Sequence, residues 1–297
     1  MSGLDEVRAT LAVAGTDGDS RAGAPSSVAE IRSSRGLFDL DLGAVWRFRE
    51  LLVNLIVRDL KVLYRQAALG ALWAVLQPVL TVAIFTVVFG RFVRVPSDGS
   101  PYPVFAFAAV LPWTYFAESV RRSGMGLVQD AELVRKVYFP RLVMPVASVI
   151  APLVDFLIAF LVLLVVMVLY GVMPTWRMIV IPPLLLVTAG LALAIGLWLG
   201  PLNVRFRDVK HTLPFILQIW MYASPVIYPL SVIPEQYRWL YSLNPMVGVI
   251  EGFRWALLGR GEADLAALTI GACVILLLLA GGLVFFKRME RFFADLI

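Results

Sequence analysis

The sequence predicts an all-α integral membrane protein with six transmembrane helices, an N-terminal amphipathic interface helix and short re-entrant helices before the last span. Composition is the first ground: of 297 residues, 60% are hydrophobic and 16% charged, where a soluble domain carries about 45–50% and about 25%. The second is that the apolar residues gather into six long segments, and the mean hydropathy reaches +0.83. The third is that the basic residues between those segments are unevenly shared, which is how a membrane chain fixes its orientation.

The segments lie near Leu69–Gly90, Val104–Val120, Val143–Tyr170, Met178–Gly200, Leu213–Tyr228 and Leu265–Phe286. Most approach the roughly 20 residues that a helix needs to cross the hydrocarbon core. The second and fifth are short, a mark of displaced ends or of a broken helix. Ahead of them, Leu52, Leu55, Ile56, Leu60 and Leu63 recur at helical spacing, with Arg58, Asp59 and Lys61 elsewhere. That pattern predicts an amphipathic helix over residues 45–64 lying in the membrane interface. Residues 1–44 are rich in Ala, Gly, Ser and Asp and lack a basic stretch followed by an apolar core. They read as a mobile cytoplasmic tail with no signal peptide, and 65–297 as the membrane domain.

Arg47, Arg49, Arg58, Lys61 and Arg65 precede the first span, and Arg121, Arg122, Arg135, Lys136 and Arg141 follow the second. Arg205, Arg207 and Lys210 follow the fourth, and Lys287, Arg288 and Arg291 the sixth. The opposite loops hold Arg91, Arg94, Arg177, Arg238, Arg254 and Arg260. The bias predicts that both termini are cytoplasmic, which an even number of spans satisfies. A net charge of +5 is then basic loops held against anionic lipid rather than a nucleic-acid surface.

One outer segment, Pro229–Asp264, is long and apolar and is broken by Pro234 and Pro245. It predicts two short helices dipping into the outer half of the membrane, the second with Glu251 and Arg254 paired three residues apart. Cys273 is the single cysteine and His211 the single histidine. An intrachain disulfide, a thiolate metal site and a multi-histidine site are therefore excluded.

Two polar loops stand out. Ser123–Pro145 reads SGMGLVQDAELVRKVYFPRLVMP. Its stretch Asp130–Val137 predicts a compact helix exposing Glu132, Arg135 and Lys136, a docking point for a soluble partner. Gly200–Pro214 reads GPLNVRFRDVKHTLP, with Asn203, Arg205, Arg207 and Asp208 in a dense turn. Simple retention of positive charge in the cytoplasm accounts for both loops equally well.

Five segments together carry a resemblance: RDLKVLYRQAALGALWAVLQPVL at Arg58–Leu80, LVRKVYFPR at Leu133–Arg141, LNVRFRDV at Leu202–Val209, SPVIYP at Ser224–Pro229, and Asn244-Pro245. In their order and spacing, from about Leu51 to the end, the chain resembles the membrane (permease) subunit of ABC exporters of the polysaccharide class, as in O-antigen, capsule and teichoic-acid transporters. The resemblance implies a bacterial inner-membrane location and two copies of the chain around a central path. It also implies two copies of a cytoplasmic ABC ATPase that hold ATP and Mg, and a lipid-linked polysaccharide as cargo. Asp130, Glu132, Arg135 and Lys136, with Arg58 on the interface helix, are the candidates for coupling to the ATPase. No GxxxxGK[S/T] loop occurs in the chain, so no cofactor is expected here and the ATP would sit on the partner.

A path for sugars favours aromatic faces without trapping charge. Trp73, Phe85, Phe89, Trp113, Phe116, Trp220 and Tyr222 fall in or beside spans and are candidates to line it, although interfacial belts use the same residue types. Asp155 lies within the third span near Pro152, and a carboxylate at that depth is a functional candidate. Glu118 is expected to pair with Arg121 or Arg122. The alternatives are an exporter of small amphiphiles or lipids, distinguished by a closed bundle with a lateral slot, and a membrane enzyme on lipid-linked sugars. An enzyme needs acid and base groups gathered at one surface, which the sequence does not offer. An ion channel needs charge rings or carbonyl filters, and none is legible.

Overall fold

The computed structural model describes residues 42–65, 72–137, 139–206, 208–259 and 264–296. Most of the expected tail, the start of the first expected span and Arg207 lie outside them. Among the described residues every regular element is helical.

The interface stretch folds as α1 (Leu42–Arg47) and α2 (Arg49–Arg65), separated by a turn at Phe48. The first long element, α3 (Leu72–Phe85), continues as a π-helix over Thr86–Phe92. Then come α4 (Tyr102–Gln129), the short α5 (Ala131–Lys136), α6 (Val143–Ile150) and α7 (Leu153–Leu169). A 3₁₀ turn at Trp176–Val180 leads into α8 (Ile181–Arg205), followed by α9 (Val209–Tyr222). Two short helices, α10 (Glu235–Ser242) and α11 (Pro245–Leu258), precede the final α12 (Leu265–Leu296).

Among the described residues, five helical stretches are long and apolar enough to cross a membrane: Leu72–Phe92, Tyr102–Gln129, Val143–Leu169, Trp176–Arg205 and Leu265–Glu290. The expected fifth span, Leu213–Tyr228, is not one continuous helix. Its helix ends at Tyr222 after 14 residues, about 21 Å at 1.5 Å per residue, against a hydrocarbon core of about 30 Å. The break has a local cause. Pro225 supplies no N–H and biases Ser224 away from helical backbone. The second expected span errs the other way, since α4 runs 28 residues through Ser123, Gly124 and Gly126. Those small residues are packing surfaces here, not helix breakers.

α4 is the hub. In its most apolar stretch 78% of residues are buried, against 17% in the first and last candidate spans. It packs on α3, α6, α7, α8 and α11. Against α8 the contact depends on missing side chains, as membrane helices without a hydrophobic drive require. A Cβ on Gly196 would stand 2.0 Å from Ser123 Oγ, and one on Gly200 would stand 3.2 Å from Leu127 Cδ1. Asn203 then donates from Nδ2 to the Gly124 carbonyl at 3.0 Å. Gly196→Val is therefore expected to force α4 and α8 apart at a cost of roughly 1–3 kcal/mol. A lower melting temperature by fluorescence-detected size exclusion checks this, with Leu186→Val on the exposed face as the silent control.

A second, smaller core gathers Leu55 of α2, Leu127 of α4, Val134 of α5, Val143, Met144 and Ala147 of α6, and Phe286 and Phe293 of α12. Arg141 fastens it by donating to the Glu290 carbonyl and by covering the Phe293 ring at 5.5 Å. α2 is thus docked on protein through Leu55, while Val53, Val57 and Val62 remain exposed. Large exposed apolar side chains also cover α3, α7 and α9, among them Leu80, Ile84, Leu161, Val165, Phe215 and Ile219. Water would penalise such a surface, whereas lipid or a neighbouring helix accepts it.

Candidate functional site

Three polar constructions interrupt this apolar body. The first is a corner between α2 and α5. Arg58 Nη2 lies 2.7 Å from Asp130 Oδ2 and 2.8 Å from Asp59 Oδ1. The Asp130 carboxylate beside it holds the Arg58 guanidinium above its ordinary value, against the opposing effect of partial burial. Asp130 sits at the junction of α4 and α5, so the pair ties α2 to the helical turn that follows. Val134 anchors that turn in the second core. Glu132 and Lys136 pair with each other on its outer face, where both are exposed, and Arg135 is exposed beside them.

The second is a partly open cavity of about 800 Å³ between α3, α4, α7 and α9. Trp73, Phe85, Trp113 and Asp155 line it, as do Gln77, Thr81, Thr114, Glu118, Arg121, Arg122 and Gln218. Glu118 accepts from Arg121 Nη2 and from Arg122 Nε, each at 2.6 Å. Arg122 Nη2 stands 4.0 Å from Asp155 Oδ2. Four charged side chains on the cavity wall therefore form one linked network.

Four of the aromatic candidates do not line it. Phe116 is fully buried and packs its ring edge-on against Trp220 at 5.1 Å. Trp220 donates from Nε1 to Asn244 Oδ1 at 2.9 Å. Phe89 packs edge-on against Phe85 at 5.7 Å, and Tyr222, which is exposed, offers its carbonyl to the Tyr228 hydroxyl at 3.1 Å. The polar turn after α8 also stays apart. Asn203 is buried as a structural tie, Arg205 lies 5.2 Å over the Phe206 ring, and the Asp208 carbonyl accepts from the His211 and Thr212 amides.

The third construction explains two short motifs. The segment Ser224–Pro229 is not helical, so its carbonyls need partners. Tyr102 Oη donates to the Ile227 carbonyl at 2.9 Å. Arg254 donates to the carbonyls of Val226 at 3.0 Å and Tyr228 at 3.1 Å, and to Glu251 Oε1 at 2.9 Å. Its guanidinium also lies 3.7 Å over the Phe105 ring. Asn244 accepts from the Met246 amide at 3.1 Å, capping α11, and donates to Ser224 Oγ at 2.9 Å. SPVIYP and Asn244-Pro245 are thus two halves of one clamp, holding the end of α9 to the start of α11.

A charged group one or two turns inside the end of an apolar span was the signal for Glu118, Arg121 and Arg122 as cavity residues. Gln77 and Gln218 gave a weaker one.

The model of the ABC-2 type transporter family matches residues 50–258. The chain belongs to the ABC-2 type transporter family. The match takes in the α2–α5 corner, the cavity and the clamp. Among curated relatives of this ABC-2 chain, the O-antigen export system permease protein RfbA of Myxococcus xanthus is 32% identical over 84% of this chain and 96% of its own. RfbA of Klebsiella pneumoniae is 28% identical over 84% and 95%. The polysialic acid transport protein KpsM of Escherichia coli is 28% identical over 80% and 92%.

Proposed function

We propose that this chain is the transmembrane subunit of an ATP-driven exporter that moves a lipid-linked polysaccharide, of O-antigen, capsule or teichoic-acid type, from the cytoplasmic side across the inner membrane. The observation that carries it is the pairing, in one ABC-2 chain, of a cavity lined by aromatic, amide and hydroxyl side chains with a charge-fastened corner between α2 and α5. The similarity to O-antigen and polysialic acid permeases over most of their length supports the same reading.

In this reading both termini are cytoplasmic and the chain crosses six times. The five long helices supply five crossings. α9 and the clamped turn supply the sixth, with α10 and α11 dipping back into the outer half, because non-helical backbone at that depth is stable only with its polar groups satisfied. Residues 1–44 form a cytoplasmic tail, 45–64 the interface helix and 65–297 the permease. Two copies enclose the path, and each faces one cytoplasmic ABC ATPase that carries ATP and Mg.

ATP binding does work only if it favours one arrangement of the membrane subunits over another. α5 exposes Glu132, Arg135 and Lys136 to receive that input, and Arg58 passes it to α2 through Asp130. Glu132→Lys or Arg135→Glu is expected to leave the subunit in the membrane and its partner's ATPase active while lowering export several-fold. Surface-glycan staining read beside ATPase rate measures it, and normal export in both variants rejects α5 as the coupling element. Affinity purification from detergent-solubilised native membranes tests the complex itself. A stoichiometric ABC ATPase should copurify, and its repeated absence would count against the proposal.

A further inference from the structure

We propose that the cavity between α3, α4, α7 and α9 is a subsite for an uncharged, hydroxyl-rich sugar, so that the chain favours neutral over polyanionic glycans. This rests on the export reading and names the substrate class at its site.

The charge balance is the first ground. Among the described lining residues, Glu118 and Asp155 oppose Arg121 and Arg122, and the four are linked through Glu118 and through the Arg122–Asp155 approach. The whole chain carries a net charge of +5, yet among the described residues the charged groups that line the cavity sum to zero. A site for a polyanion would show unneutralised guanidinium or ammonium groups, because a carboxylate leaving water needs a charged donor in return. Here Glu118 binds Nε and Nη2 of Arg121 and Nε of Arg122, and with Asp155 it balances both positive charges while leaving N–H donors on each guanidinium for a neutral hydroxyl.

The second ground is the kind of hydrogen bonding on offer. A sugar hydroxyl donates and accepts at once. Carboxylate acceptors beside guanidinium donors suit it, as do the amides of Gln77 and Gln218 and the hydroxyls of Thr81 and Thr114, which also do both. The third is the half-exposed Trp73 at the cavity wall, a flat ring suited to the C–H face of a pyranose.

The test uses the purified full-length protein in lipid nanodiscs, with its ATPase where that copurifies. Saturation-transfer NMR compares two probes at equal concentration, a mannose tetrasaccharide and an α2,8-linked sialic acid tetrasaccharide. The neutral probe should give the stronger response by roughly tenfold, and Trp73→Ala, on an exposed side chain, should weaken it several-fold. Glu118→Gln combined with Asp155→Asn leaves Arg121 and Arg122 unbalanced and should admit the sialic acid probe. An equal or stronger response to sialic acid in the unmodified protein overturns the neutral selectivity and leaves the export reading standing. No response to either probe, or one indifferent to Trp73→Ala, overturns the sugar subsite. The unmodified protein decides between the probes even if the double variant does not fold. Failure to copurify an ATPase bears on export and not on this comparison.

Discussion

Arg58→Glu is expected to lower export about tenfold while the protein remains folded and in the membrane, and adding Asp130→Arg is expected to restore it. The expectation follows from where the pair sits. Both side chains are partly exposed, with 41% and 25% of their surface accessible, and a pair in that setting contributes at most about 1 kcal/mol to stability. Its removal should therefore not unfold α2, which Leu55 and its neighbours hold in the second core. What is lost is the link between α2 and α5, the turn through which coupling is proposed to run. Coupling free energies of about 1–3 kcal/mol correspond to roughly 5–150-fold in the linked process. The swapped double variant distinguishes coupling from simple charge preference: it keeps the ion pair and reverses its polarity. Export should be measured as polymer at the cell surface, beside membrane abundance of the subunit. Arg58→Glu with full export, or a swap that rescues nothing, removes the pair from the coupling route.

Arg254→Met should have the larger effect on the fold itself. Arg254 is 4% exposed, and its guanidinium serves two carbonyls, Glu251 and the Phe105 face together. Methionine fills much of the volume but leaves a carboxylate and two carbonyls without their donor. Breaking a buried pair in this way costs about 3–5 kcal/mol. Little monodisperse protein should survive solubilisation, or its melting temperature should fall by roughly 10 °C. Arg254→Lys keeps the charge but not the planar fork that reaches three acceptors, so it should recover part of the loss. Export by Arg254→Met at the normal level with normal abundance would show that the clamp is not what holds α9 to α11.

The sequence made the long elements legible because lipid imposes a simple rule: a span must be apolar for about 20 residues and must satisfy its own backbone. That rule placed five of the helices. It failed at Leu213–Tyr228, where the hydropathy of Val226, Ile227 and Tyr228 hides the fact that their carbonyls are bound by Tyr102 and Arg254 instead of by a helix. Hydropathy reports burial and not the hydrogen-bonding partner. It also failed at Ser123–Gly126, whose small residues look like a loop until Gly196 and Gly200 of α8 are brought against them.

Short-range electrostatics was readable: the Glu118 and Glu251 pairs lie three or four residues from their arginines. The 72-residue separation of Arg58 from Asp130 was not, since only the packing of α2 on α6 brings them together. The aromatic candidates divided for the same reason. Trp73, Phe85 and Trp113 face the cavity, whereas Phe116 and Trp220 stand behind its wall, and no periodicity in one strand of sequence tells the two faces apart.

Outward movement of a lipid-linked glycan is the function proposed for this chain. Depleting it in its native host and extracting lipid-linked glycans from the cytoplasmic and outer-surface fractions tests that directly. Lipid-linked polymer should accumulate inside while surface polymer falls, and restoring the chain should reverse both. Unchanged surface polymer, with no accumulation inside after the protein has disappeared from the membrane, would contradict it.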